Sequence, residues 1–302
     1  MKLIIVVLMN FLVLNLFAQN IEITPELIQK MKNTNPVNMD EIVDHLDLKR
    51  WHKKNPKIYS IANPFYPMTR VNKDEVDLPD PINGQKAYVD HNDGTVSFYH
   101  QRKVYEWFNL KPKDEREAEV CGIKFLDNEK KTYHLKSFEN KDLAQSEGYL
   151  VTHQNHCGAC SSLYDLAIYL EKRNMVEDGR KCAKKLTLKG SRKCHLERIE
   201  LSRYCSEAWA YNATATRNRC MKNCIKEYGL VNILRGKYPD VFVNDDGSLK
   251  PCILCDELKS GGGYAYSVGR TRRSSGIKSA IDRGAEELYP IDYETYYKIF
   301  DL

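Results

Sequence analysis

The sequence predicts an α+β fold in which antiparallel hairpins precede a helix-rich, disulfide-stapled half. Three observations predict it. Two pairs of strand-like segments flank tight turns: Lys86–Asp90 with Thr95–His100 across Asn92-Asp93-Gly94, and Val120–Leu126 with Thr132–Phe138 across Asp127-Asn128-Glu129. After them, Leu163, Leu166, Ala167 and Leu170 fall at i, i+3, i+4 and i+7, the spacing of a core-facing helix that Ser161 or Ser162 caps. Nine of the ten cysteines lie between Cys157 and Cys255, so covalent staples are concentrated in the second half.

The N-terminus reads Met1-Lys2, an apolar run from Leu3 to Leu16, then Phe17-Ala18. A positive start, an apolar stretch and a small residue at the cut are the pattern of a signal peptide, here residues 1–18. Asn10 and Asn15 interrupt the run, which falls short of the about 20 apolar residues a bilayer crossing needs. The expectation is a secreted or lumenal protein without a membrane anchor. Residues 19–81 follow as a helical segment and a proline-rich connection. Thr24-Pro25-Glu26 opens a helix, with a capping residue before proline at the first helical position. Helix is expected from 19 to about 60, and Pro64, Pro67, Pro79 and Pro81 keep the connection extended. Residues 82–302 form the α+β disulfide-stabilised domain.

Within that domain Lys141–Glu147 reads as a helix stopped by Gly148, and Tyr149–Thr152 as a strand running into a cysteine loop. Arg180–Tyr228 is basic, cysteine-rich and helical in pattern. Ser260-Gly261-Gly262-Gly263 reads as a flexible stretch and Tyr264–Val268 as a short strand. The formal net charge of +5 over 302 residues is mild, and no nucleic-acid partner is expected.

An even number of cysteines in an oxidising compartment makes disulfides the default for Cys157, Cys182, Cys194, Cys205, Cys220, Cys224, Cys252 and Cys255, with connectivity open. Cys220 and Cys224 stand at i, i+4, one face of a helix. The pairs Cys157/Cys160 and Cys252/Cys255 have zinc-ribbon spacing within each pair, but residues 161–251 separate them, so no metal is expected. No cofactor motif occurs.

The segment His153-Gln154-Asn155-His156-Cys157-Gly158-Ala159-Cys160-Ser161 carries the parts of a nucleophilic cysteine site. Cys160 sits just before a helix, whose N-terminal field favours a thiolate. His153 or His156 would be the base, and Gln154 an oxyanion donor. His91, His100 and His134 are alternative bases, and Asp256 and Glu257 candidate acids. The leading expectation is a secreted thiol-dependent hydrolase or acyl transferase. Two others stand beside it: a non-catalytic extracellular binding or structural protein with every cysteine bridged, and a thiol–disulfide oxidoreductase using Cys157 with Cys160. Arg270, Arg272 and Arg273 are expected to bind an anionic small molecule or peptide, and Arg270-Thr271-Arg272-Arg273 also resembles a convertase cleavage site. Asn212-Ala213-Thr214 is a glycosylation sequon.

Locally, Gln154–Cys160 resembles the nucleophile segment of papain-like proteases, with Ser161 where that family has an aromatic residue. The strand–CxxC–helix order resembles thioredoxin-like proteins, although no proline occurs between Pro112 and Pro239. A wider set of motifs spans residues 119–283: Val151-Thr152-His153, Cys157-Gly158-x-Cys160-Ser161-Ser162-x-x-Asp165-Leu166-Ala167, Trp209-x-Tyr211-Asn212, Cys252-x-x-Cys255-Asp256-Glu257-x-x-Ser260-Gly261 and Gly269-Arg-Thr-Arg-Arg273. These resemble a set of secreted, mostly uncharacterised eukaryotic proteins. The resemblance implies a shared architecture and candidate positions rather than a reaction.

Overall fold

The computed structural model describes residues 23–52, 55–172, 174–239, 241–279, 287–291 and 300. The expected signal-peptide segment, residues 1–18, lies outside the described residues. In chain order the elements are α1 (Pro25–Lys32), β1 (Asn35–Pro36), α2 (Met39–His45), β2 (Lys49–His52), β3 (Asn55–Ile61), β4 (Thr69–Asn72), β5 (Tyr88–Asp90), β6 (Thr95–Phe98), α3 (Arg102–Tyr105), α4 (Lys113–Ala118), β7 (Val120–Phe125), β8 (Thr132–Phe138), α5 (Lys141–Ser146), β9 (Leu150–Gln154), α6 (Leu163–Glu171), α7 (Val176–Ala183), α8 (Leu188–Cys194), α9 (Arg203–Tyr228), α10 (Leu230–Arg235), α11 (Pro251–Asp256) and α12 (Gly262–Val268). The α+β class is as expected.

Both hairpins form. β5 and β6 pair antiparallel, and Asn92 and Gly94 take the positive φ values (58° and 83°) that the turn requires. β7 and β8 pair antiparallel from Val120↔Phe138 to Phe125↔Tyr133, and β9 joins the other edge of β7. The short β1 runs parallel to β8, so the main sheet has the order β1-β8-β7-β9. The expected helical stretch from 19 to about 60 is corrected beyond α2. Two short helices are followed by the antiparallel pair β2–β3, and β3 carries the β-branched and aromatic residues Ile58, Tyr59 and Ile61 that suit a strand.

Helix α6 is the pivot of the core. Leu163, Leu166, Ala167 and Leu170 pack with α1 and the main sheet, while Ile168 and Tyr169 face the cluster around α9. The N-terminal residues Val43, Leu46, Leu48, Ile61 and Phe65 are buried in that same α9 cluster. Asp165 joins the starts of α6 and α9. Its amide donates to Ser162 Oγ, and its carboxylate accepts from Ser162 Oγ at 2.6 Å and from the amide and Oγ of Ser202 at 2.8 and 2.6 Å. The Ser-Ser-x-x-Asp motif is therefore an N-cap extended to a second helix.

The expected flexible glycine run and strand at 260–268 are also corrected. Residues 262–268 are the helix α12, and its glycines are required for close approach. A Cβ on Gly263 would lie 2.4 Å from Phe65, and one on Gly262 2.8 Å from Phe108.

Helices α9 and α11 are joined by a ladder of side chains. Thr216 bonds Asp256, Cys220 bonds Cys255, and Cys224 bonds Cys252. The i, i+4 cysteines thus bridge one neighbouring helix. Asp256 is partly buried at the ladder's end rather than in a solvated loop. Burial pushes its carboxyl up to about 6, Thr216 opposes the shift, and the charge of Glu257 adds to it. A carboxyl raised in the folded state binds protons more tightly folded than unfolded, so stability falls as pH rises from about 4 to about 6. Asp256→Asn should flatten this slope and raise the melting temperature by a few degrees near pH 7. Thermal melts of both proteins across that window check it, and parallel curves would refute it.

Candidate functional site

The cysteine loop is a closed structural knot. Cys160 is fully buried and bonded to Cys205, and Cys157 is bonded to Cys121. The remaining bridge, Cys182–Cys194, completes five, and none of the ten cysteines is free. In this arrangement the Cys160 sulfur is not a free thiol, and Cys157 and Cys160 are bonded to different partners rather than to each other. Cys121 and Cys160 join the expected set of bridged cysteines. Cys157 reaches back to β7 of the main sheet.

The proposed bases are also occupied. His153 is fully buried, and Nδ1 lies 2.7 Å from the carbonyl of Gln154 while Nε2 lies 2.8 Å from Ser161 Oγ. A carbonyl only accepts, so Nδ1 carries the hydrogen and Nε2 accepts from the serine hydroxyl. Burial, and then the charge of Arg270, hold this histidine well below its ordinary pKa. The serine–histidine pair has the geometry of a catalytic dyad, but Ser161 also accepts from the Gly158 amide and has no exposed surface, so no substrate reaches it. His156 donates through Nε2 to the Tyr266 carbonyl, and its Nδ1 lies 3.5 Å from Glu119. Burial alone would raise Glu119. Hydrogen bonds from His156, Lys111 and Trp107 outweigh it and bring the carboxyl to about 2. Gln154 turns away to the Glu117 carbonyl. His134 contacts Asn38 and Tyr149.

The three arginines do not form a ligand cluster. Arg270 is fully buried and donates to the carbonyls of Thr152, Cys160 and Ser161 and to the hydroxyls of Thr152 and Ser275. Arg272 donates to the Lys172 carbonyl and lies over the Tyr169 ring. Arg273 pairs with Glu287 at 2.7 Å on the surface. Asn212 lies in the interior of α9 with its side-chain oxygen buried.

An open groove lies elsewhere, with a volume of about 480 Å³. Its floor is one face of α9, formed by Tyr211, Thr214, Ala215, Asn218 and Arg219 at i, i+3, i+4, i+7 and i+8. One wall is the loop 63–68. Asn63 shapes this loop by accepting the Phe65 amide on Oδ1 and the Tyr66 amide on its carbonyl. The other wall comes from the β4–β6–β5 sheet through Arg70, Ser97 and His91, with His91 Nε2 2.7 Å from Ser97 Oγ. Tyr66, 72% exposed, and Met68 stand at the rim.

Arg219 is the polar centre of the groove. It donates to the carbonyls of Lys259 at 2.6 Å and Phe65 at 3.1 Å, and its guanidinium lies over the rings of Phe65 and Tyr99. Burial pulls its pKa down to about 10, partly offset by Tyr99. Among the described residues no carboxylate pairs with it, whereas Arg70 in the same groove is matched by Asp93. Lys259 and His100 lie beside it. Burial, then the charge of Arg219, lowers both, His100 to about 3. The site is thus a half-buried cation among aromatic rings, with no counterion among the described residues. The sequence signal for it was the stripe ending in an arginine on an inward face of a long helix.

Residues 188–291 match a "Family of unknown function (DUF8771)", a segment holding α8 to α12 and therefore the groove's floor. No curated protein and no solved structure matches.

Arg270→Met should destabilise the protein by about 3 kcal/mol or more, since it strands buried carbonyls and hydroxyls. Arg273→Ala should stay within about 0.5 kcal/mol, as exposed pairs do. Guanidinium unfolding of both variants checks the contrast, and equal effects would restore a common role.

Proposed function

We propose that the chain is an extracellular, non-catalytic binding protein whose α9 groove takes a small anionic molecule with an apolar, ring-bearing body. The single observation that carries this reading is Arg219, a partly buried guanidinium at the groove's centre with no carboxylate partner among the described residues. Burying a cation without a counterion is unfavourable, and an anionic ligand supplies the missing charge through bidentate hydrogen bonds. Phe65, Tyr66 and Tyr211 offer ring faces to the apolar part, and Thr214, Asn218 and Ser97 offer hydrogen bonds. The volume falls in the range of small-molecule sites, about 300–1,000 Å³, rather than of a protein interface. The five bridges favour an oxidising compartment and leave no thiol for catalysis. Among the described residues no helix is long and apolar enough to cross a membrane.

Anilinonaphthalene sulfonate, an aromatic anion, is a suitable probe. The folded protein should bind it at one saturable site. Arg219→Gln should weaken binding roughly tenfold or more, about 1.4 kcal/mol, and Arg219→Lys by less, with uncharged phenylnaphthylamine indifferent to either change. Near-ultraviolet circular dichroism confirms that the variants remain folded. Equal affinity of the anion for wild type and Arg219→Gln would remove the reading.

A further inference from the structure

The net charge of +5 conceals a segregation. From Arg180 to His195 there are seven Lys and Arg residues and no Asp or Glu, and from Arg217 to Lys237 there are six against one, Glu227. The single acid turns inward, where Oε2 accepts the Cys252 amide at 2.8 Å. The two segments meet in space. Lys184 Nζ donates to the Leu234 carbonyl at 3.2 Å, and Arg217 donates to the carbonyl of Leu186 at 3.3 Å.

At this junction the surface is also unusually apolar. Leu186 is 87% exposed, Leu234 67%, Val231 57% and Leu230 50%. Leu230, Val231 and Leu234 occupy one side of α10, and Leu186 lies in the turn between α7 and α8. Lys185 adjoins Leu186, Arg235 and Lys237 follow Leu234, and Lys222 and Lys226 lie in the last turns of α9 that lead to α10; all five are exposed, and among the described residues none of them enters a salt bridge.

We infer that this tip, built from α10 and the α7–α8 turn, docks peripherally on an anionic lipid bilayer. Each half of the pattern excludes a different alternative. A hydrated polyanion would use the lysines but leaves four aliphatic side chains in water. An apolar protein partner would cover the aliphatics but would have to neutralise an unpaired basic ring. An anionic bilayer satisfies both, because the aliphatics enter the headgroup–acyl boundary while the lysines meet lipid phosphates. Long lysine side chains reach from such a tip to the headgroup level. This proposal is independent of the α9 groove, whose residues lie outside the tip.

Sedimentation with phosphatidylcholine vesicles, with and without phosphatidylglycerol, tests it using the whole mature protein. Binding should require phosphatidylglycerol and weaken as salt rises. Leu186→Gln with Leu234→Gln should lose roughly tenfold in vesicle affinity, and Lys222→Glu with Lys226→Glu should lose at least as much. All four side chains are exposed, and unchanged melting temperatures verify folding. Failure of wild type to sediment with the anionic vesicles would overturn the proposal. So would full retention of binding by the leucine variant, which together with unchanged retention on heparin would make the tip a polyanion site. A wild-type dimer in light scattering that the leucine variant abolishes, without vesicle binding, would make it a contact between copies of this chain.

Discussion

The Arg270 guanidinium organises the molecule. It stands fully enclosed and binds three separated stretches of chain: Thr152 in the middle of β9, Cys160 and Ser161 in the cysteine loop, and Ser275 beyond α12. A buried cation is tolerable only when hydrogen bonds replace its lost hydration, and here carbonyls and hydroxyls do so, with Asp165 contributing at longer range. The backbone beside it is equally constrained. Ala159 and Cys160 donate their amides to Ser267 and Val268. Gly158 and Gly269 approach so closely that a Cβ on either would lie within 2.6 Å of the other's backbone, and Gly269 also needs a φ of +65°. Two distant motifs in the sequence are thus halves of one clasp.

This clasp encloses a segment that in sequence has the parts of an active site. A strand, a tight loop, two histidines and a cysteine before a helix make a reactive centre only if a cavity adjoins them and a thiol is free. Here the loop is pinned between α12 and the sheet. His153 orients Ser161, Ser161 holds the Gly158 amide, and the sulfurs are tied to β7 and α9. Side chains that would perform acid–base work in a cleft are here buried and hydrogen-bonded to one another and to the backbone.

Much of the fold was legible because local rules agreed with the tertiary outcome. The Asn92-Asp93-Gly94 turn, the Thr24 and Ser162 caps and the α6 stripe all formed where the sequence placed them. The misreadings share one cause. Gly262 and Gly263 looked like a flexible linker because glycine lowers helix propensity, yet their missing Cβ atoms admit Phe108 and Phe65 against α12. Residues 49–61 followed two helices but paired as strands. The three clustered arginines looked like a binding site because sequence shows proximity along the chain and not burial. Arg219, which precedes all three in the chain, lines the open groove, and only tertiary packing sets it beside Phe65.

Helix α9 ties these features to one another. Its first turn is bolted to the clasp through Cys205, and its last turns to α11 through Cys220 and Cys224. Between the bolts one face carries the groove from Tyr211 to Arg219, and beyond them the helix leads through Gly229 into α10. A helix held at both ends cannot shift register or fray, so its groove face is pre-organised and binding need not spend free energy on ordering it. A long helix rich in polar residues, with little amphipathic contrast, would be a poor independent folding unit. The disulfides at Cys205, Cys220 and Cys224 make it a fixed rod.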